Sequence, residues 1–230
     1  MKLYSFQQSP KSRSVQAAAK HLGLSLDLAE VNLVALEQKS ADFLQINPNG
    51  IVPVLVDGEK VVWETIAILV YLAQKASNTS ANGELTNDRL VKNIQWLSWQ
   101  IAELSPPIDK IIETMLVKVM HGNPGISGSE ENSFEDERIR EARTSSERVL
   151  GILNTHLEKN DYVTGSAIDI ADFAIMSSLS NCDHAGIDLL SFSSIRAYRS
   201  RIRSLDAWAS TCPPVEVGVM IVESDNLEGK

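Results

Sequence analysis

The sequence predicts two domains, a small α/β domain followed by a larger all-α domain. In the first third, strand patterns alternate with segments whose apolar residues recur at helical spacing, in the order β-α-β-α-β-β-α. A polar run without periodicity, "SNTSANGE", follows, and beyond it strand signals fade. We therefore predict an α/β domain over residues 1–77, a linker over 78–87, an all-α domain over 88–212 and a tail over 213–230.

The first elements follow from apolar spacing and turn residues. "KLYSF" has the pattern of a short strand, and the turn "QQSPK" leads into a helix predicted over Ser12–Leu22. Gly23 stops this helix, and "LSLDLAEVNL" is the second strand candidate.

The rest of the α/β domain has a short helix, a hairpin and a last helix. The helical pattern "KSADFLQI" ends at "NPNG". "VPVLV" and "KVVW" are two short strands joined around the turn Asp57-Gly58, which is a hairpin signal. "TIAILVYLAQKA" closes the domain as a helix.

The second half is predicted to be helical. A long amphipathic helix covers Leu90–Met120 and bends near Pro106-Pro107. After the polar loop "HGNPGISGSEENSF", a second helix covers Glu135–Leu157. "DIADFAIMSSLSNC" is the most apolar helix and is predicted to lie at the centre of this domain. One further helix is predicted over "SFSSIRAYRSRIRSLDAWAST".

Composition excludes several classes of function. Lys and Arg total 21 against 30 Asp and Glu, a net charge of −9, which argues against nucleic-acid and anionic-membrane partners. The start lacks the apolar core of a signal peptide, and no apolar run is long enough for a membrane span. Cys182 and Cys212 form no metal or disulfide pattern, so we expect no metal site and a cytoplasmic location. A local anion site could still form from Lys11, Arg13 and Lys39.

Pro53 stands inside an apolar run that otherwise has the pattern of a strand. Proline cannot donate to a sheet ladder, so Pro53 must open its strand or lie on an edge. From the local sequence alone a trans bond is favoured, since only about 5% of X–Pro bonds in folded proteins are cis. A cis bond would instead free the backbone N–H and C=O of Val52 to pair with an extended ligand.

Glu64 and Thr65 stand where the last helix of the α/β domain begins. A helix N-terminus suits a carboxylate, Thr65 adds a hydroxyl donor, and Glu64 adds a negative charge that suits an ammonium. Together they form a receptor for the α-amino-acid end of a ligand. The alternative is simple capping, with Thr65 as N-cap and Glu64 as a complement to the helix dipole.

Ser9 and Ser12 lie in the first strand-to-helix turn, "SPKSR", beside two basic residues. A hydroxyl at a helix N-terminus that donates to a sulfur would lower the pKa of that thiol. The alternative is that Ser9 is the N-cap and Pro10 the first helical residue.

These motifs resemble the cytosolic glutathione S-transferase family over nearly the whole chain. "NPNGIVPVLVDGEKVVWETIAILVYL" is similar to the family's glutathione-site signature, and "LYSFQQSPKSRSVQAAAKHLGL" resembles the serine-type delta, theta and phi classes. "DIAD" resembles the family's capping box, with Asp169 as N-cap and Asp172 as the N3 acid. The resemblance implies a thioredoxin-like domain followed by a helical bundle, in a homodimeric, cytoplasmic enzyme of detoxification.

The resemblance also implies roles for individual residues. Ser9, with Ser12 as runner-up, would activate the glutathione thiolate for attack on a small hydrophobic electrophile. The binding residues would hold glutathione by its cysteinyl backbone, its γ-glutamyl end and its glycyl carboxylate. Val52, followed by a cis Pro53, would hold the cysteinyl backbone. Glu64 and Thr65 would hold the γ-glutamyl end, and Gln38 and Lys39 would hold the glycyl carboxylate.

Departures from the family pattern leave alternative functions open. Thr65 replaces the commoner serine, and Gln38 stands where phi-type members often carry histidine. Without a cysteine in the turn, thiol–disulfide chemistry with a protein nucleophile is excluded there. The alternatives are a glutathione-dependent isomerase or dehalogenase, and a non-catalytic ligand-binding or assembly module. The residues that could line an electrophile pocket are Trp96, Trp99, Met115, Met120 and His121.

Overall fold

The structure, a computed structural model, describes residues 1–77, 85–120 and 133–211, and of 117–120 and 133–136 only the backbone. Its first part confirms the predicted order of strands and helices. These elements are β1 (Lys2–Ser5), α1 (Pro10–His21), β2 (Asp27–Glu30), a 3₁₀ turn (Glu37–Lys39), α2 (Ala41–Ile46), β3 (Val54–Asp57), β4 (Lys60–Trp63) and α3 (Thr65–Ser77).

The second part is helical, as predicted. Its elements are α4 (Asn87–Trp99), a π-helical turn (Gln100–Leu104), α5 (Ser105–Met120), α6 (Ser133–Leu157), α7 (Ile170–His184), α8 (Ser193–Arg203) and α9 (Asp206–Ala209).

The four described strands form one mixed sheet in the order β2-β1-β3-β4, in which β1 pairs with β2 in parallel and β3 pairs antiparallel with both β1 and β4. Side chains alternate across this sheet. Leu3 and Leu55 join the apolar core that includes α1 and α3, while Val54 and Tyr4 pack with Phe43 of α2 on the other side. Helices therefore cover both faces, which confirms the predicted thioredoxin-like arrangement.

Helix α7 lies at the centre of the helical part, as its sequence predicts. Eleven of its fifteen residues are buried. The predicted capping box is present: the carboxylate of Asp172 accepts the backbone N–H of Asp169, at 2.8 Å, and Asp169 caps the helix. Helices α1 and α3 pack against α7, so one continuous apolar core joins the sheet to the helical part.

Near Pro106-Pro107, where a bend is predicted, the helix contains a π-helical turn. Neither proline can donate a backbone hydrogen bond, and the N–H of Ser105 bonds to the carbonyl of Gln100, five residues back. The Gln100 side chain donates to the hydroxyls of Ser105 and Ser178, both at 2.7 Å. This buried network holds the turn against α7.

Some predicted helix bounds differ from the structure; α4, for example, starts at Asn87 rather than Leu90. Helix α1 starts at Pro10 rather than Ser12, because Ser9 caps it. The single helix expected near the end is two helices, α8 and α9, separated by an extended Leu205. Most of the predicted linker, the loop that contains His121 and the tail from residue 212 onward lie outside the described residues.

Candidate functional site

The sheet topology brings three sequence motifs to one edge. Strands β1 and β4 run in the same direction and β3 runs opposite, so β1 and β4 end where β3 begins. The turn with Ser9 follows β1, the Val52-Pro53 segment precedes β3, and Glu64 follows β4. The predicted thiol-activating and ligand-binding motifs therefore lie next to one another.

The bond between Val52 and Pro53 is cis, as the resemblance implies, so the trans alternative is wrong. Strand pairing stops at Val54, which leaves the backbone of Val52 outside the sheet ladder. The preceding loop is organised by buried Asn47, whose amide donates to the Ile51 carbonyl at 2.8 Å. Sequence analysis missed this role of Asn47, although the "NPNG" motif contains the residue.

Glu64 has a left-handed backbone, with φ of 72°. Such a conformation in a non-glycine residue costs about 1–3 kcal/mol and is concentrated at functional sites. The carbonyl of Glu64 accepts the N–H of Ile68 at 3.0 Å, and Thr65 is the first helical residue. The alternative in which Thr65 is the N-cap is therefore wrong. The geometry places the exposed Glu64 side chain and the Thr65 hydroxyl together at the start of α3.

Ser9 and Ser12 have different environments. The Ser9 hydroxyl is half-buried and accepts the backbone N–H of Ser12 at 3.2 Å, as expected of an N-cap followed by Pro10. Because it accepts in this bond, its own proton remains available to donate. The Ser12 side chain is fully buried and faces the Phe6 N–H at 3.4 Å. Capping and donation to a ligand are thus compatible at Ser9, whereas the Ser12 hydroxyl is buried and accepts from the backbone of Phe6.

Gln38 and Lys39 lie against the loop that leads to Pro53. Lys39 donates through Nζ to the carbonyl of Asn49 at 3.2 Å. A Cβ on Gly50 would lie 2.8 Å from the Gln38 carbonyl oxygen, so the two backbones approach as closely as glycine allows. Within the described residues, the side-chain oxygen of Gln38 is buried without a hydrogen-bond partner. Gln38 and Lys39 therefore lie near the same edge of the sheet as Pro53. Their side chains carry an amide and an ammonium group.

The predicted anion site with Arg13 is not formed. The guanidinium of Arg13 lies 4.3 Å from the centre of the Trp208 ring and donates to the Trp208 carbonyl and to the Thr211 hydroxyl, at 3.2 and 3.3 Å. Arg13 therefore faces α9 and not a ligand beside Ser9. The spacing of residues in the sequence does not indicate a contact between Arg13 and Trp208, because the two are far apart in the chain.

The proposed electrophile-pocket residues do not form one group. Trp96 contacts Trp99 and His156, with ring centres 5.2 and 4.5 Å away, and both tryptophans pack on the core. Met115 is exposed. The side chain of Met120 and all of His121 lie outside the described part. Among the described residues, these candidates therefore define no pocket for an electrophile.

Two further observations concern metal and membrane. Among the described residues, no group of three or more His, Cys, Asp or Glu side chains could hold a metal ion. Across the same part of the chain, no helix has both the length and the apolar character needed to cross a bilayer.

Comparison with known proteins shows similarity to glutathione S-transferases. Residues 1–74 match the family model of the glutathione S-transferase N-terminal domain. A glutathione S-transferase of Drosophila melanogaster is 29% identical over 94% of this chain and 85% of its own. A protein of Rhodopseudomonas palustris described as a possible glutathione S-transferase is 28% identical, with a TM-score of 0.73 over 90% of this chain and 87% of its own.

A third relative shares the fold at lower identity. A glutathione transferase of Phanerochaete chrysosporium, solved in complex with oxidized glutathione, is 22% identical, with a TM-score of 0.76 over 91% of this chain and 93% of its own. Three observations indicate similarity to glutathione S-transferases. They are the match to the family model, the relatives that span both parts of the chain, and the sheet with its cis-proline. Residues 1–74 thus form a glutathione S-transferase N-terminal domain, and the chain is similar to glutathione S-transferases over both of its parts.

Proposed function

We propose that this chain is a serine-type glutathione transferase, in which Ser9 stabilises the thiolate of bound glutathione. The observation that carries the proposal is the meeting of Ser9, the cis Val52-Pro53 segment and Glu64-Thr65 at one edge of the sheet. The bound thiolate attacks a small hydrophobic electrophile, forming a carbon–sulfur bond as the leaving group departs. The thiol proton is released before this step.

Each part of glutathione has a matching group on the protein. The backbone of Val52, outside the ladder, pairs with the cysteinyl backbone as an added strand. Glu64 holds the γ-glutamyl ammonium, and Thr65 with the N-terminus of α3 holds the carboxylate beside it. Lys39 and Gln38 hold the glycyl carboxylate. The complex of the Phanerochaete relative with oxidized glutathione supports this choice of ligand.

Ser9 acts on the sulfur by donating its hydroxyl proton. A hydrogen bond that is made to the charged form favours that form, so the pKa of the bound thiol falls below its ordinary value of about 8.5. The N-terminus of α1, which begins at Pro10, adds a partial positive charge in the same place. Both effects increase the thiolate fraction at neutral pH.

A titration of bound glutathione tests the proposal. The absorbance of the thiolate is followed against pH in the wild type, Ser9→Ala and Ser12→Ala, with saturation checked by calorimetry. We expect a lowered thiol pKa in the wild type and Ser12→Ala and a value near that in solution for Ser9→Ala. Glutathione binding without a shift would instead support a ligand-binding module. Regeneration of glutathione during turnover would support an isomerase or dehalogenase.

We also propose that the protein acts as a cytoplasmic homodimer in detoxification, with the domain boundaries predicted from sequence. Exposed apolar side chains on β4 and α4 support self-association, among them Trp63, Val91 and Ile94. Light scattering at micromolar concentration measures the mass. A monomer would contradict the dimer without affecting the proposed chemistry.

A further inference from the structure

We infer that Arg13 is a positioning residue, which fixes the Ser9 turn relative to the helical part of the protein. The inference rests on the proposed function, because it concerns where Ser9 meets the glutathione sulfur. Arg13 lies on the first turn of α1, and its backbone N–H donates to the carbonyl of Ser9 at 2.9 Å. Any movement of Arg13 is therefore transmitted directly to Ser9.

Within the described residues, the side chain of Arg13 has three contacts with α9 and Thr211. Nη2 donates to the Trp208 carbonyl at 3.2 Å, Nε donates to the Thr211 hydroxyl at 3.3 Å, and the guanidinium plane lies over the Trp208 ring. The Thr211 hydroxyl in turn donates to the same Trp208 carbonyl at 2.7 Å. Only a planar, forked cation can donate along its edge and stack through its face at once.

Trp208, which contacts Arg13, is buried in the core. Trp208 is 1% exposed and belongs to the main apolar core, which also contains residues of α1 and α7. The Ser9 turn is consequently fixed both by the sheet and by the helical part. This matters for catalysis because a misplacement of about 1 Å between reacting groups can lower a rate by about a hundredfold.

Lys20 provides a matched control on the same helix. It contacts the same segment, with Nζ 2.9 Å from the Asp206 carboxylate and 2.7 Å from the Ser210 hydroxyl. Both charged side chains of this pair are exposed, at 45% and 85%, and the contact lies at the far end of α1 from Ser9. Removing it leaves the Ser9 turn in place.

The first test compares Arg13→Lys with Lys20→Met. Arg13→Lys keeps the positive charge near the site and removes the fork and the stacking plane. We expect the pKa of the bound glutathione thiol to rise towards its solution value and kcat with chlorodinitrobenzene to fall about tenfold or more. The KM for glutathione should change by less than about twofold, because Val52, Glu64 and Thr65 are untouched. Lys20→Met should match the wild type in all three quantities.

The second test does not depend on glutathione. Hydrogen exchange of the backbone amides in the first turn of α1 should speed up about tenfold in Arg13→Lys and stay unchanged in Lys20→Met. If Arg13→Lys does not fold, Thr211→Val, which removes one acceptor of the guanidinium, replaces it in both tests with smaller effects of the same direction.

The outcomes separate this inference from the proposed function. An unshifted thiol in the wild type would defeat the proposed function, and the anchoring by Arg13 would then be decided by exchange alone. A shifted thiol in the wild type that is equally shifted in Arg13→Lys would overturn the inference and leave the proposed function intact. Where the wild-type thiol is shifted, faster exchange in Arg13→Lys without a change in thiol pKa would likewise overturn it.

Discussion

Arg89 donates two hydrogen bonds to Asp169, with Nε 2.6 Å from Oδ2 and Nη2 3.1 Å from Oδ1. The pair joins the first turn of α4 to the N-cap of α7. The Asp169 side chain is 6% exposed and the Arg89 side chain 30%. The same two helices are joined again by Asn93, whose side-chain oxygen accepts the N–H of Ala171 at 3.1 Å. The start of the central helix is therefore held by a charged contact at its most buried end.

Removal of Arg89 should destabilise the protein strongly. Arg89→Ala leaves the Asp169 carboxylate buried without its cation, and we expect a loss of about 3 kcal/mol in the free energy of unfolding. Urea denaturation measures it. Arg148→Ala is the control, because its ion pair with Glu103 is exposed and should be worth less than about 1 kcal/mol. Equal losses in both variants would contradict this account.

His21 should titrate below its ordinary range. Burial lowers the pKa of His21 from 6.5, Asp169 raises it, and Arg89 lowers it. Arg89→Gln should therefore raise the pKa of His21, which proton NMR of its imidazole measures. Since the unfolded state binds the proton more readily, the contribution of His21 to stability is present above pH 6.5 and is lost as the pH falls below it. An unchanged titration in Arg89→Gln would refute the coupling.

Asp172 should make stability depend on pH in the opposite sense. Burial raises the pKa of Asp172 to about 7 from 3.8, against the hydrogen bonds it accepts from Val163, Asp169 and Tyr198. The folded state then holds a proton that the unfolded state releases. Stability from this group is present below about pH 4 and is lost as the pH rises to about 7.

The variant Asp172→Asn isolates this effect. Its amide keeps one acceptor oxygen but turns an NH₂ towards the backbone N–H of Asp169, so we expect a loss of about 1–3 kcal/mol. The fall in stability between pH 4 and 7 should also become shallower, as measured by urea denaturation across that range. A slope equal to the wild type's would show that another group titrates.

Gly50→Ala should lose more stability than Gly58→Ala. Both glycines have similar backbone angles, φ of 60° and 61°. A Cβ at Gly50 meets the Gln38 carbonyl and Lys39 Nζ at 2.8 and 2.9 Å, whereas nothing lies within 4 Å of one at Gly58. We expect about 1 kcal/mol at Gly58 from backbone strain alone and about twice that or more at Gly50.

Glutathione calorimetry on the two glycine variants extends the comparison. Gly50→Ala should also bind glutathione more weakly, since it displaces the turn that carries Gln38 and Lys39. Equal losses of stability in the two variants would mean that the turn with Gln38 and Lys39 shifts to accommodate the new Cβ without further destabilising the protein.

The sheet could be predicted from sequence because its information is local. Alternating apolar residues, Asp57-Gly58 and the position of Pro53 each report on the nearest few residues. The start of α1 was misplaced for a related reason. Ser9 is polar and lies outside the apolar repeat, so periodicity alone begins the helix two residues after its first residue, Pro10.

The features that sequence analysis missed depend on distant contacts. Nothing in "SPKSR" indicates that Arg13 lies over the Trp208 ring, because the two residues are far apart in the chain and meet only through tertiary packing. The break between α8 and α9 has no glycine or proline. There the Ser204 hydroxyl donates to the carbonyl of Arg201 at 2.8 Å, and Trp208 is fully buried in the core. Local bonding and tertiary packing together override helical periodicity.

The π-helical turn changes which side of the helix each residue after it occupies. It contains one residue more than an α-helical turn and so rotates everything after it by about 100°. In an unbroken α-helix, Asn93 and Ile111 would be about five full turns apart and would point in the same direction. Because the π-helical turn lies between them, they face different directions. Helix α4 packs chiefly on α7, whereas α5 packs chiefly on α6. A deletion of one residue at this turn would restore a continuous helix and direct α5 away from α6, so chain length at this point selects the neighbour of α5.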